Sequence, residues 1–123
     1  MNPEEFKRRT MKFALKAVRF VKSLPRSGTG HVAGRQLLRS ATSVGANYRS
    51  ACCAKSHADF IAKLAIVHEE CDESLYWIML LAESGEVREN DVEELRNDAR
   101  EILAMVVASL RTARSRKPTT TGS

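Results

Sequence analysis

Proline and glycine are scarce in this chain: three and six among 123 residues. Four of those nine, Pro25, Gly28, Gly30 and Gly34, fall in one short segment. Long uninterrupted stretches suited to helices remain, and nothing reads as a strand. Cysteine is scarce as well. Cys52 and Cys53 are adjacent and Cys71 stands alone, an odd count with no C-x-x-C spacing. That gives no disulfide framework and fits a reduced, cytoplasmic protein. No apolar run approaches the ~18 residues that a membrane span needs. The opening MNPEEFKRRT has early acids and no apolar stretch, so no signal peptide is expected.

What the chain does have is apolar content, 43%, enough for one domain with its own core. Its charge is segregated. The net value is +5, yet residues 1–55 hold 12 Lys/Arg against 2 Asp/Glu, whereas residues 56–101 hold 4 against 13. Opposite halves of this kind can attract each other within one assembly, or leave a basic surface for nucleic acid.

Four helices can be read from the spacing of apolar residues. The first is expected from Pro3 to Leu24, with Asn2 as N-cap and Pro25 as terminator. Phe6, Thr10, Phe13, Ala17, Phe20 and Leu24 form its main stripe, and Met11, Leu15, Val18 and Val21 a second apolar edge. A flexible loop, RSGTGHVAG, leads to a second helix from about His31 to Ala54, whose stripe is Leu37, Ala41, Val44, Tyr48 and Ala51. Gly45 lies inside it, at a cost of roughly 1 kcal/mol relative to Ala, which suggests close packing there. The third helix starts at Ser56 with Asp59 three residues on, as in a capping box, and stops before Gly85. Its stripe is Phe60, Leu64, Val67, Cys71, Leu75, Ile78 and Leu81, and YWIMLLA (76–82) is apolar nearly all round, so this helix is expected to be central. The fourth is expected from Asn90, with Glu93 completing another capping box, to Arg114, along Val92, Leu95, Ala99, Ile102, Val106 and Leu110.

Two constellations could carry function. Arg39, Ser43 and Asn47 lie four apart on the second helix, and Glu70 and Glu73 share a face of the third. Buried charge is costly unless paired. A buried polar network is therefore expected in which Arg39 meets Glu70 or Glu73, with Ser43 and Asn47 adding hydrogen bonds. Its role would be structural, fixing register and partner choice. A general acid/base pair or a carboxylate metal site built on Glu70 and Glu73 is the weaker alternative, and the Glu-x-x-His pattern of bundle di-metal sites is missing. The other constellation is a basic row on the first helix: Arg8, Lys12, Lys16, Arg19 and Lys22, continued by Arg26. Spacings of three and four line these up to meet several phosphates. No aromatic residue is interleaved, so base stacking is not implied. Such binding would be salt-sensitive and tolerant of sequence. The competing reading is a solvated face lying near the acidic fourth helix.

Other matches fail for lack of context. His68-Glu69-Glu70-Cys71-Asp72 has Asp where a zinc protease has its second His. Gly28-Thr29-Gly30-His31-Val32-Ala33 fits G-x-G-x-x-A but follows a helix rather than a strand.

The run Arg39-Ser-Ala-Thr-Ser43-Val-Gly-Ala-Asn47, then Ser56-x-x-Asp59-Phe60, then Glu70-x-x-Glu73 followed by Tyr76-Trp77, resembles the bacterial four-helix-bundle family whose members include proteins encoded within intervening sequences of 23S ribosomal RNA genes. The resemblance covers residues 5 to 112 or so, and is densest from Leu37 to Leu81. It implies an antiparallel bundle, assembly as a ring-like homopentamer and an association with nucleic acid. Arg49 departs from the pattern, standing where small or acidic residues are common, and should alter the surface near the end of the second helix.

The expectation is thus an all-α, antiparallel, up-down-up-down four-helix bundle over residues 1–114, with a disordered polar and basic tail at 115–123. It is expected to be a cytoplasmic homo-oligomer with no catalytic residues, metal or cofactor, contacting RNA or DNA through its first helix. The alternative is a protein-interaction scaffold ring that binds no nucleic acid.

Overall fold

The computed structural model describes residues 2–116. It contains four helices: α1 (Pro3–Lys22), α2 (Gly28–Cys52), α3 (His57–Glu83) and α4 (Glu89–Ser115). No strand occurs among the described residues. No described helix is long and apolar enough to cross a membrane. The tail at 117–123 lies outside the described residues, and Ser115 is the last residue of α4.

The helix ends follow from local chemistry. Asn2 Oδ1 accepts from the amides of Glu4 (2.9 Å) and Glu5 (3.2 Å), satisfying two donors that the first turn leaves open. Ser56 Oγ accepts from the Asp59 amide at 3.0 Å. The Asp59 carboxylate returns the bond one residue further out, to the Lys55 amide at 3.0 Å, and also takes Lys63 Nζ at 3.0 Å. Those donors hold Asp59 below the usual carboxylate range, the Lys55 amide first. Gly85 adopts φ +81° just past α3, the left-handed position where glycine ends a helix without strain.

Two helix starts differ from expectation. α2 begins at Gly28, three residues before His31, so the glycine-rich segment is helix rather than loop. The segment packs against the end of the preceding helix: a Cβ on Gly34 would stand 2.7 Å from Leu24 Cδ1. α4 begins at Glu89, with Arg88 as N-cap and no side-chain cap. The Asp91 amide already bonds Arg88 O at 3.0 Å, which puts Asn90 inside the first turn, where it cannot cap.

The four stripes meet in one core. Phe6, Leu37, Val44, Leu64, Ile78 and Ile102 are fully buried, each worth roughly 1.5–3 kcal/mol of apolar burial. Phe6 packs edge-on against Tyr48, ring centroids 4.5 Å apart. Thr10, read as part of an apolar stripe, is buried against Gly45, where an added Cβ would lie 3.0 Å from Thr10 Oγ1. Cross-helix pairs run in opposite senses along neighbouring helices. Phe6 meets Tyr48 while Leu24 meets Gly34, and His57 meets Ala113 while Cys71 meets Ala99. The bundle is therefore antiparallel. α1 packs against α2, α2 against α3, and α3 against α4, while α1 and α4 share the sparsest seam and the backbones of α1 and α3 stay apart across the core.

Candidate functional site

The α1–α4 seam is closed by ion pairs rather than by close backbone packing. Lys16 Nζ reaches Glu94 Oε1 at 2.8 Å and Asp98 Oδ2 at 2.6 Å, and Arg9 pairs with Glu101. These bonds, Asp98 first, raise the Lys16 ammonium above its ordinary value. The same lysine holds Glu94 below the usual carboxylate range. Lys16 thus belongs to the bundle's internal charge balance. The other members of the row, Arg8, Lys12, Arg19 and Lys22, are exposed and make no ion pair among the described residues. Arg8 and Lys12 flank the cleft shared with α4, over Phe13 and Ile102. Arg19 lines a second cleft with Asp91 near the start of α4. Arg49 of α2 joins Arg8, Lys12 and Arg19 around an adjoining groove along α1 that Met11 and Leu15 also line, with Glu4 at one end. The cationic surface therefore spans two helices, which spacing along α1 alone could not show.

The second constellation forms, but at the surface. Arg39 Nη1 lies 3.2 Å from Glu70 Oε2, and its Nη2 bonds Glu73 Oε2. The guanidinium holds Glu73 below the usual carboxylate range, and the indole of Trp77 adds a bond at 3.3 Å. Side-chain exposure is 48% for Arg39, 18% for Glu70 and 37% for Glu73, so the network expected to be buried is half exposed. Long side chains carry their charged ends out to water. Ser43 and Asn47 do not join it. Ser43 Oγ donates to Arg39 O at 2.7 Å and Asn47 Nδ2 to Ser43 O at 2.8 Å, both on their own helix.

The buried polar contact lies one position away. Ser40 and Ser74 are fully buried, with Ser74 Oγ donating to Ser40 Oγ at 3.0 Å between α2 and α3. Their spacing carried the signal. Ser40 sits between Leu37 and Val44, and Ser74 between Cys71 and Ile78, each within a core stripe. Both carboxylates near this contact are clamped by one guanidinium. No group of three or more His, Cys, Asp or Glu side chains converges as a metal site among the described residues. His57 Nε2 donates to Ala113 O at 2.8 Å and ties the start of α3 to the end of α4.

α3 is less enclosed than its composition suggested. Tyr76 is 58% exposed and Met79 44%, with Ile66 at 40%. They share the outer face of α3 with the exposed acids Glu69, Asp72 and Glu83.

The model of the 23S rRNA-intervening sequence protein family matches residues 4–108. The chain is also similar to a protein of unknown function from the S23 ribosomal protein family of Bacteroides thetaiotaomicron VPI-5482, known from its crystal structure. The two are 35% identical, with 90% of this chain and 99% of that one covered and a TM-score of 0.83. No curated protein matches the chain.

Proposed function

The chain belongs to the 23S rRNA-intervening sequence protein family, and from that premise we propose that it is a self-associating bundle that acts by binding rather than catalysis, holding RNA or DNA by its phosphates. The observation that carries the reading is the contrast along α1. Lys16 is neutralised by Glu94 and Asp98, whereas Arg8, Lys12, Arg19 and Lys22 stand exposed on the same helix with no ion pair among the described residues. Cations held in a row on a rigid helix, without internal partners, suit a polyanion whose charges repeat at fixed intervals. The family's name refers to an intervening sequence of 23S rRNA, which makes RNA the first ligand to try.

The test is titration of a fluorescent 20-nucleotide RNA of arbitrary sequence across a salt series. Affinity should fall with salt, with a log–log slope of about −0.7 per phosphate neutralised on a single strand. Lys12→Glu with Arg19→Glu should weaken binding on every sequence and flatten that slope. Unchanged affinity and slope in this variant would remove the α1 face from the reading.

A second reading, a protein-interaction scaffold that binds no nucleic acid, draws on the exposed Tyr76 and Met79 of α3. It predicts no salt-dependent RNA binding by the wild-type chain at all.

A further inference from the structure

The groove along α1 holds more than charge. Met11 is 55% exposed and Leu15 47%, two large apolar side chains open to water one helical turn apart. Both line the groove together with Arg8, Lys12 and Arg19, and with Arg49 from α2. Residues three or four apart are neighbours on a helix surface, so Met11 adjoins Arg8, and Leu15 adjoins Lys12 and Arg19. The remaining charges of the groove are engaged elsewhere. Lys16 is held by Glu94 and Asp98, and Glu4 pairs with Lys7 at 3.2 Å. Four cations without an ion pair among the described residues therefore surround an exposed apolar strip.

A duplex cannot use that strip. Its bases are stacked inside, and α1 laid on its surface would press Met11 and Leu15 against sugar and phosphate, with no apolar partner for their burial. A single strand can. Its unstacked bases turn away from the backbone, and each offers a π-face whatever its identity. A methionine thioether is soft and polarizable and packs well against such a face. No aromatic residue lines the groove among the described residues, so bases rest on aliphatic side chains there rather than stack on rings. We infer that the groove selects single-stranded nucleic acid, with phosphates on Arg8, Lys12, Arg19 and Arg49 and bases against Met11 and Leu15. The strip runs about 6 Å along the helix axis, room for a base or two. Its cations and apolar groups read no base edge, so the selection is for unpaired strand and not for sequence. This inference rests on the phosphate binding proposed above and names the form of nucleic acid that the same site takes.

The experiment offers the full chain three fluorescent probes across a salt series. They are a 20-nucleotide RNA without self-complementarity, the same strand annealed to its complement, and an abasic strand of equal length. The single strand should bind tightest, about tenfold tighter than the abasic strand at the same salt. The variant Met11→Gln with Leu15→Gln keeps every charge and alters only exposed positions, and circular dichroism checks its helix content. It should bind the single strand as weakly as the abasic one, with the salt slope unchanged and with duplex and abasic binding as in the wild type. Its mass by light scattering should equal that of the wild type. A wild-type chain that holds duplex as tightly as single strand would overturn the inference and leave phosphate binding standing. So would a variant that keeps the single-strand preference or loses affinity for all three probes alike. A variant whose mass differs from the wild type's would also overturn it, because another copy of the chain then covers the strip. No salt-dependent binding of any probe would overturn the phosphate reading itself.

Discussion

Ser74 Oγ donates to Ser40 Oγ at 3.0 Å in the closed seam between α2 and α3, one residue along α2 from Arg39, whose guanidinium opens to solvent. Each hydroxyl also has a carbonyl on its own helix within reach, Leu37 O at 3.2 Å for Ser40 and Glu70 O at 2.9 Å for Ser74. Removing one serine therefore strands no donor. Ser74→Ala should cost under about 1 kcal/mol, and the double variant with Ser40→Ala should cost little more than the single. Urea denaturation of the four-member cycle checks this, and strict additivity would mean that the inter-helix bond contributes nothing. Ser40→Leu, which forces volume into the seam, should cost roughly 1–3 kcal/mol.

Two helical glycines should respond oppositely to alanine. At Gly45 the new methyl meets Thr10 Oγ1 at 3.0 Å and Thr10 Cβ at 3.3 Å. That threonine is buried, β-branched and hydrogen-bonded to Lys7 O, so it has little room to move. Gly45→Ala should destabilise by about 1–2 kcal/mol despite the better helix propensity, and Thr10→Ala in the same chain should recover part of the loss. At Gly34 the clash is with Leu24 Cδ1, the far end of a side chain beside a loop. A rotamer change can absorb it, so Gly34→Ala should fall within about 0.5 kcal/mol of wild type once the helix gain of roughly 1 kcal/mol is counted. Thermal melts of the two variants decide the order.

Arg39→Gln should reveal a pH-dependent contribution. The arginine lowers the Glu73 pKa in the folded state. Its stabilisation is therefore present above the unfolded carboxylate value and lost as pH falls through the lowered folded one. The variant should be less stable than wild type at pH 7, by under about 1 kcal/mol because the pair is half exposed. The two should converge below the carboxylate range. A gap that persists at pH 2 would assign the effect to packing of the arginine stem.

Lys16 separates structure from binding on one helix. Lys16→Gln should leave the salt slope of RNA binding nearly unchanged, because its charge is already spent on Glu94 and Asp98. Lys12→Gln should reduce the slope by about one phosphate equivalent. Conversely, Glu94→Gln with Asp98→Asn should free Lys16 and steepen the slope. Equal effects of Lys16→Gln and Lys12→Gln would show that the ion pair yields to phosphate.

The thiols should differ in reactivity. Cys71 is fully buried, its Sγ donates to Ala99 O at 3.3 Å, and burial pushes the thiol up to about 12. Cys52 and Cys53 are exposed. A thiol reagent at pH 8 should label two cysteines in the native chain and the third only in denaturant. Fast labelling of all three would indicate that the α3–α4 seam opens readily.

The sequence by itself determined the four helices and which face of each turns inward. Leu37, Val44 and Tyr48, or Val92, Ile102 and Val106, repeat at the helical period, and that repeat is a local property of the chain. The caps at Asn2 and Ser56 were legible for the same reason, since each donor and acceptor lies within three residues. Only the tertiary structure decided what depends on a neighbour's distance and reach. It made the segment at 28–34 helix, with the backbone of Gly34 set closely against Leu24. It put Ser40 and Ser74 inside and the charges of Arg39, Glu70 and Glu73 outside. A short hydroxyl must find its partner where the backbones meet, whereas a long charged side chain can cross the same seam and end in water. It also split the basic row of α1, giving Lys16 to the carboxylates of α4 and leaving its neighbours exposed. Spacing along one helix fixes which side chains share a face, but the helix packed beside it fixes which of them find a counterion.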